Sequence, residues 1–451
     1  MRSTRSAGSL NMTEGPIWKQ LLLFALPLMV GNVFQQFYNT VDAIIVGNYV
    51  SKQALAAVGT TGNVINAVIS LAIGLSTGAS VAISQYFGAR DRDRLHTAVH
   101  TTVAMTLTLG LLLTALAVPL VPLMIRAMRT PLDVQKDAAT YLRIYFSGLV
   151  GLLLYNAGAA ILRAVGDSKR PLYFLIASTI LNAVFDYIFV VGFGLGIRGV
   201  AFATILTQAL SAVLTLYVLS RSHGDYRIVW RHVRLDRPML RIILKLGLPT
   251  AAQQVVTSFS NVFVQGYING FGTDTTAGWT TYAKVDAFAL LPIQSLSLAS
   301  TTFVGQNVGA GKMDRAKKGV SVSMKVTLSV TAVLIVALNL LAEPLVRLFT
   351  QEAAVVENGL LFVRFMSPFY FLCCVNQILA GALRGAGDTK APMYIMLGSF
   401  VLFRQIYLAV TSWLSGAKMW VALAYPAGWI VCSAILVVYY FRADWTKKRV
   451  T

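Results

Sequence analysis

Residues 160–173 read AILRAVGDSKRPLY, and residues 381–394 read GALRGAGDTKAPMY. Leu, Arg, Gly, Asp, Lys, Pro and Tyr recur in the same order, each 221 residues further along the chain. Near the same offset, GARDRDR at 88–94 matches GAGKMDR at 309–315. Ordered matches at a single offset indicate that the chain consists of two homologous halves.

The composition of the chain is that of a membrane protein. Of its 451 residues, 56% are hydrophobic and 12% are charged, whereas soluble globular proteins carry about 25% charged residues. Apolar stretches longer than ~18 residues predict membrane-spanning helices. Twelve are predicted, at 17–48, 55–85, 97–127, 136–162, 171–193, 199–220, 241–270, 280–306, 319–349, 356–383, 392–415 and 419–441. The sequence therefore predicts an all-α polytopic membrane protein.

Each half holds six predicted spans, and this even number fixes how the halves are related. Both halves must enter the membrane in the same direction, so we expect two six-helix bundles related by a pseudo-two-fold axis along the membrane normal. Transporters with such repeats bind their substrate between the halves. The predicted domains are a cytoplasmic tail at 1–16, bundles at 17–220 and 241–441, a basic cytoplasmic linker at 221–240, and a cytoplasmic tail at 442–451.

The net charge of +20 has two possible explanations. A strongly basic soluble protein would favour nucleic acid as a partner. Here the Lys and Arg residues lie in short segments between apolar spans, where an excess of positive charge marks the cytoplasmic side. The excess falls on the side that holds both termini and the link 221–245. We therefore expect both termini to be cytoplasmic, and we expect no nucleic-acid partner.

Four motifs resemble those of the multidrug and toxic compound extrusion (MATE) family. They are VDAIIVGNYVSKQALAAVG at 41–59, QYFGARDRD at 85–93, the twice-occurring LRxxGD(S/T)KxP, and LNAVFDYIFVVGFG at 181–194. The resemblance implies a transporter of the bacterial inner membrane that exports amphiphilic, often cationic compounds by antiport with protons or sodium. The C-terminal half lacks matching acids, since Asp42 aligns with Val264, and this is similar to the DinF-like bacterial branch.

Two carboxylates lie in apolar surroundings of the N-terminal half, Asp42 and Asp186. A charge inside hydrocarbon costs ~3 kcal/mol or more, so such residues are functional candidates by default. Asn182 lies one helical turn before Asp186, and Tyr141 and Thr204 lie at a similar predicted depth. The resemblance assigns Asp42, Asn182, Asp186 and Thr204 to the cation or proton site.

The same groups allow two coupling ions and one structural alternative. Neighbouring carboxylates repel each other, so one of them tends to hold a proton that it can exchange. Oxygen atoms of Asp42, Asn182, Asp186 and Thr204 are equally suitable ligands for sodium, by analogy with other hard-cation sites. The alternative is a structural cluster of hydrogen-bonded side chains that holds the helices together. No cofactor is expected beyond the transported ion.

Prolines interrupt two matching spans. FALPLMVGNVFQQFYNTVD at 24–42 parallels LGLPTAAQQVVTSFSNVFV at 246–264, with Pro27 over Pro249. Proline kinks a helix. One hypothesis is a kink at Pro27 whose angle changes when Asp42 is protonated, and the other is a static bend.

A central cavity for an amphiphilic substrate should be lined by aromatic and polar side chains with few charges. The expected partners are such substrates and membrane lipid, and a monomer suffices because both halves are in one chain. Arg404 is expected to fix helices rather than to face the cavity. The candidate lining residues are Gln35, Tyr38, Asn39, Tyr155, Asn156, Asn261, Phe288, Tyr370 and Asn376.

Two other functions remain open. A lipid-linked oligosaccharide flippase would need a cationic cavity, for which Arg404 and Lys284 are the available residues at membrane depth. A non-transporting receptor would use the basic link and would not need intramembrane acids. Lys284 and Asp286 are expected to anchor span 8 at the membrane surface. His96 and His100 have a zinc-binding spacing, but no third ligand is evident.

Overall fold

The structure is a computed structural model, and it describes residues 10–128, 130–414 and 417–450. Every regular element within these ranges is helical. The α-helices are α1 Ile17–Tyr49, α2 Lys52–Ala89, α3 Arg92–Ala127, α4 Leu132–Ser147, α5 Leu149–Ala164, α6 Lys169–Tyr187, α7 Ile197–Arg221, α8 Arg237–Asn269, α9 Thr273–Ala289, α10 Leu291–Gly309, α11 Met313–Leu340, α12 Ala342–Arg347, α13 Ala353–Met366, α14 Tyr370–Ala386, α15 Lys390–Leu397, α16 Arg404–Leu414, α17 Lys418–Ala422 and α18 Ala424–Arg442. Segments Ile188–Gly192 and Gly398–Phe403 are π-helical, and Trp230–His232, Ser367–Phe369 and Trp445–Lys447 are 3-10 turns.

All twelve predicted spans coincide with helices or consecutive helices. Ten helices within the described ranges are long and apolar enough to cross a membrane, and α4 with α5 makes an eleventh span that bends by 50°. The remaining predicted span lies in α8, which has 33 residues but whose second half is rich in polar side chains. The all-helical polytopic fold is therefore confirmed.

The described chain divides into two compact units. The first contains the described residues of 10–11, 30–128 and 130–247, and the second contains residues 12–29 together with 248–414 and 417–450. The boundary between the units thus falls within α1 at Val30, three positions after Pro27. The residues of α1 before Val30 belong to the second unit. Both α1 and α8 continue as single helices past their prolines. A kink at Pro27 that changes with the protonation of Asp42, and a static bend there, both stay hypotheses.

The first unit has an apolar core built by α1 to α5 and α7. It includes the buried side chains of Val46, Val121, Phe146 and Val200. Hydrocarbon-facing helices gain little from apolar burial, so close backbone packing matters more. In α2, Gly78 packs so tightly that an added Cβ would come within 2.7 Å of the carbonyl oxygen of Ile243 in α8.

The second unit is organised around an aromatic core. Trp279 in α9 and Phe362 in α13 meet edge to face, with ring centroids 5.0 Å apart. The segment before α1 is tied into this unit, because the amide of Met12 donates to Gln306 at 3.1 Å and Met12 is fully buried. Asn307 donates in turn to the Met12 carbonyl oxygen at 3.1 Å.

The repeated motif forms a similar turn in each unit. Gly166 and Gly387 adopt φ values of 90° and 100°, which favour glycine. Asp167 accepts hydrogen bonds from the amides of Lys169 and Arg170, and Asp388 accepts one from Ala391. Burial raises the pKa of the Asp167 carboxyl, against the opposing effect of these amides and of the Arg170 side chain. The motif is thus a structural turn that begins a helix.

Replacing Gly78 with alanine tests the close packing of α2. The added methyl group would overlap backbone atoms, so we expect Gly78→Ala to lower the stability by about 1–3 kcal/mol. Gly62→Ala in the same helix is the matched control, since a Cβ there meets nothing within 4 Å. The measurement is the melting temperature in detergent. Equal melting temperatures for the two variants would contradict the packing argument.

Candidate functional site

Asp42 and Asp186 lie side by side in the first unit. Asp42 comes from α1 and is 8% exposed, and Asp186 comes from the last turn of α6 and is fully buried. Their carboxyl groups are close enough to interact electrostatically. Both oxygens of Asp186 and Oδ1 of Asp42 are buried and accept no hydrogen bond from any protein donor. The sequence thus brings together two carboxyls that are 144 positions apart.

Tyrosine hydroxyls and one threonine surround the two carboxyls. Tyr38 lies one turn before Asp42 in α1, and its hydroxyl donates to Oγ1 of Thr204 in α7 at 3.3 Å. Tyr38 and Tyr141 are both within electrostatic range of Asp42 and Asp186. Asn182 is 1% exposed, and its side-chain NH2 group has no acceptor. The five predicted coupling residues are therefore gathered in one buried region.

Two neighbours of this site were not among the predicted residues. Tyr145 is buried one turn after Tyr141, and it lies within electrostatic range of Asp42. Gln208 lies one turn after Thr204, and its Nε2 donates to the Tyr145 hydroxyl at 3.4 Å. A search at a spacing of four residues from the predicted residues would have found both, because that spacing keeps side chains on one helix face.

The arrangement is suited to binding a small cation. Two ionised carboxylates can only accept hydrogen bonds, so neither can satisfy the other. One proton between them supplies the missing donor, and a metal cation supplies positive charge to the same oxygens. The π-helical segment Ile188–Gly192 follows Asp186 after a single residue. Such segments occur frequently at functional sites.

The sequence model described as MatE matches residues 27–188 and again residues 249–410. The chain belongs to the MatE family. The double match confirms the internal repeat, since the second match begins 222 residues after the first. This agrees with the resemblance to the MATE family.

Curated MatE relatives cover nearly the whole chain. It is 31% identical over 453 residues to "Probable multidrug resistance protein YoeA" from Bacillus subtilis, which covers 96% of each protein. It is 28% identical over 448 residues to "Probable multidrug resistance protein NorM" from Thermotoga maritima, which covers 96% of this chain and 94% of that protein. The expected DinF-like branch stays a prediction.

A solved structure shares the fold of this MatE protein. It is described as the "outward-facing conformation of a multidrug resistance MATE family transporter of the MOP superfamily", with a TM-score of 0.92 over 100% of both chains and 23% identity. This likeness shows the fold. The apolar helices, the MatE match and the curated relatives together make the chain a multi-pass membrane protein of a transporter family.

The remaining candidates of the first unit have varied surroundings. Gln35 and Asn39 in α1 are exposed, which leaves their side chains accessible to a ligand. Tyr155 is half-buried and donates to the carbonyl oxygen of Pro171 at 3.5 Å. Asn156 donates to the carbonyl oxygen of Leu152 in its own helix at 2.9 Å.

Asp286 in the second unit lies deeper along its helix than the sequence analysis expects. The predicted span began at residue 280, whereas α9 begins at Thr273, so Asp286 lies about 20 Å along the helix rather than at its end. Its Oδ1 accepts from the hydroxyls of Tyr370 at 2.5 Å and Tyr282 at 3.1 Å. Lys284 does not pair with it and lies over the ring of Phe349, 5.1 Å from the centroid.

The other candidates of the second unit differ in exposure. Phe288 is exposed, and Asn376 is buried and donates to the carbonyl oxygen of Trp429 at 3.2 Å. Arg404 is 3% exposed and donates to Asn261 Oδ1 at 2.8 Å and to Ser260 at 2.6 Å. The guanidinium is therefore committed to holding α16 against α8, as expected for a structural role.

Asp186→Asn should stabilise the protein. The amide can donate to Asp42, which removes a repulsive pair of acceptors, so we expect a gain of about 1–2 kcal/mol. Asn182→Asp is the control and should lower the stability, because it adds a third acid to the same buried region. Melting temperatures in sodium-free detergent solution at alkaline pH, where the pair has lost its shared proton, measure both effects. A lower melting temperature for Asp186→Asn would contradict the unsatisfied pair.

Tyr370→Phe tests the hydrogen bonds of Asp286. Loss of the shorter hydroxyl bond should destabilise the protein by about 1–3 kcal/mol, because the acceptor is a carboxyl group. Tyr394→Phe is the control, since Tyr394 is 66% exposed. A melting temperature of Tyr370→Phe equal to that of the control would show that the bond contributes nothing.

Proposed function

We propose that this chain is a secondary active exporter that expels amphiphilic, often cationic compounds in exchange for protons or sodium. The observation that carries the proposal is the buried Asp42–Asp186 pair, in which Oδ1 of Asp42 and both oxygens of Asp186 have no protein donor. The names of the relatives, which include multidrug resistance proteins, support the substrate class.

The coupling step follows from the chemistry of the pair. A proton or sodium ion that enters from one side neutralises one of the two negative charges of the Asp42–Asp186 pair, and its release restores the unfavourable arrangement of two ionised acceptors. Tyr38 links this step to α7 through its hydrogen bond with Thr204. Binding therefore changes the contacts between α1, α6 and α7, and this change alternates the access of the substrate site. The chain acts as a carrier rather than an enzyme and needs no cofactor besides the coupling ion.

The proposed setting is the cytoplasmic membrane of a bacterium, with both termini on the cytoplasmic side and a monomer as the working unit. The asymmetric distribution of Lys and Arg supports this orientation. Lipid and drug-like substrates are the proposed partners.

The proposed coupling residues differ from Asp286 in their hydrogen bonding. Asp286 already accepts two hydroxyl bonds, so it does not need a cation to satisfy it. Asp286→Asn is therefore a matched control, since it removes an acid at membrane depth outside the proposed coupling site.

Dye transport into inside-out vesicles under an imposed proton or sodium gradient tests the coupling. We expect one gradient to drive transport in the wild type, and we expect Asp42→Asn to abolish it while Asp286→Asn retains it. The gradient that works identifies the ion. Transport by Asp42→Asn at the wild-type rate, or no transport by folded wild type under either gradient, would contradict the proposal. Equal loss in Asp286→Asn would show that coupling is not confined to the first unit.

A further inference from the structure

The four histidines of the chain are unevenly distributed, because three of them meet at one place. His96 and His100 lie in the first turns of α3, and His232 ends the 3-10 turn of the basic link. One ring nitrogen of each lies within 4.8 Å of a ring nitrogen of the other two. His223 lies in the same link and is not part of the cluster. His96 and His100 in α3 supply two histidines, and the link thus supplies the third, His232.

The link is held firmly enough to present His232. Tyr226 and Ile228 are each 2% exposed, and the amide of Ile228 donates to the carbonyl oxygen of Leu219 at 3.2 Å. Arg92 at the start of α3 pairs with Asp225 at 3.2 Å. The cluster therefore lies between two ordered segments of the first unit.

The spacing of two of the nitrogens already suits a tetrahedral metal. Nε2 of His96 and Nδ1 of His232 are 3.5 Å apart. Two nitrogen ligands of one tetrahedral Zn2+ ion are about 3.3 Å apart, given Zn–N distances of 2.0–2.1 Å. At 3.5 Å these nitrogens make at best a weak hydrogen bond, so little is lost when both turn to a metal.

His100 has the tautomer that a metal ligand needs. Its Nδ1 lies 2.7 Å from the carbonyl oxygen of His96, which only an N–H can satisfy, so the lone pair is on Nε2. A backbone carbonyl in this role commonly orients histidines that bind metals. Nε2 now accepts from the amide of Val229 at 2.8 Å. A metal at Nε2 would replace that hydrogen bond, and the backbone of the link at Val229 would have to move away from the ring.

We propose that His96, His100 and His232 form a site for a divalent transition-metal ion of the Zn2+ class, which fastens the basic link to α3. Imidazole nitrogens suit Zn2+, and three protein ligands leave the fourth position to water on the exposed side of His232. The carboxylate of Asp93 lies on the same helix face as His96, one turn earlier, and offsets part of the positive charge. The site does not depend on the proposed transport.

Titration calorimetry of the full chain in detergent tests the site directly. The protein carries an affinity tag without histidine and is freed of metal with a chelator before Zn2+ is added. We expect one Zn2+ ion per chain in the wild type and in His223→Ala. His232→Ala should weaken binding by more than the ~10–100-fold that loss of an outer-shell partner costs. His232 is exposed, so its removal should leave the fold intact.

Two further readouts separate a metal site from a histidine cluster that only packs. Co2+ should give the strong visible absorption of tetrahedral coordination in the wild type and in His223→Ala, and not in His232→Ala or His96→Gln. Zn2+ should also slow tryptic cleavage at the exposed Arg231 and Arg234 in the same two proteins only. A wild type that binds no Zn2+, or a His232→Ala variant that binds it with unchanged affinity, would overturn the proposal.

Discussion

The constraint on which the first unit depends is the burial of two neighbouring carboxyl groups, three of whose oxygens have no protein donor. In water each oxygen of Asp42 and Asp186 would be solvated, but within the helix bundle Asp186 is fully buried. A buried acceptor that lacks a partner costs about 1–3 kcal/mol, and more when it is charged. The surrounding helices tolerate this cost only because they are fixed elsewhere, by the apolar core around Phe146 and by backbone packing at Gly78.

Two charged residues of the second unit, Asp286 and Arg404, have hydrogen-bonding partners within the protein. Asp286 receives two tyrosine hydroxyls, and Arg404 is spread over Ser260, Asn261 and the ring of Tyr425, 4.8 Å from the guanidinium carbon. These groups are largely satisfied as they stand. Two units that share a repeat thus differ in their polar interiors, because the first contains a pair of neighbouring carboxyls whose buried oxygens lack a protein donor, whereas the described Asp286 of the second unit accepts two hydroxyl bonds. A repeat can therefore conserve helices while only one copy carries the chemistry.

Most of the fold could be predicted from the sequence. The length of the apolar stretches indicates the membrane spans, and the constant offset of 221 residues indicates the repeat. Asp42 and Asp186 could be picked out because intramembrane acids are rare, and Asn182 because it lies one helical turn before Asp186. The 50° bend between α4 and α5 was not, because no proline marks it. The depth of Asp286 depended on where α9 begins, and helix ends are poorly encoded. His232 lies 136 positions after His96, and helical periodicity does not extend that far.

Infrared difference spectroscopy tests most directly whether Asp42 and Asp186 share a proton. The carbonyl band of a protonated carboxylic acid is distinct from the bands of a carboxylate, and the Asp42→Asn/Asp186→Asn double variant identifies which band belongs to the pair. The account predicts a protonated-carboxyl band at neutral pH that the wild type shows, that the double variant lacks, and that disappears at alkaline pH. Identical spectra for the wild type and the double variant throughout this pH range would contradict the proton-sharing pair.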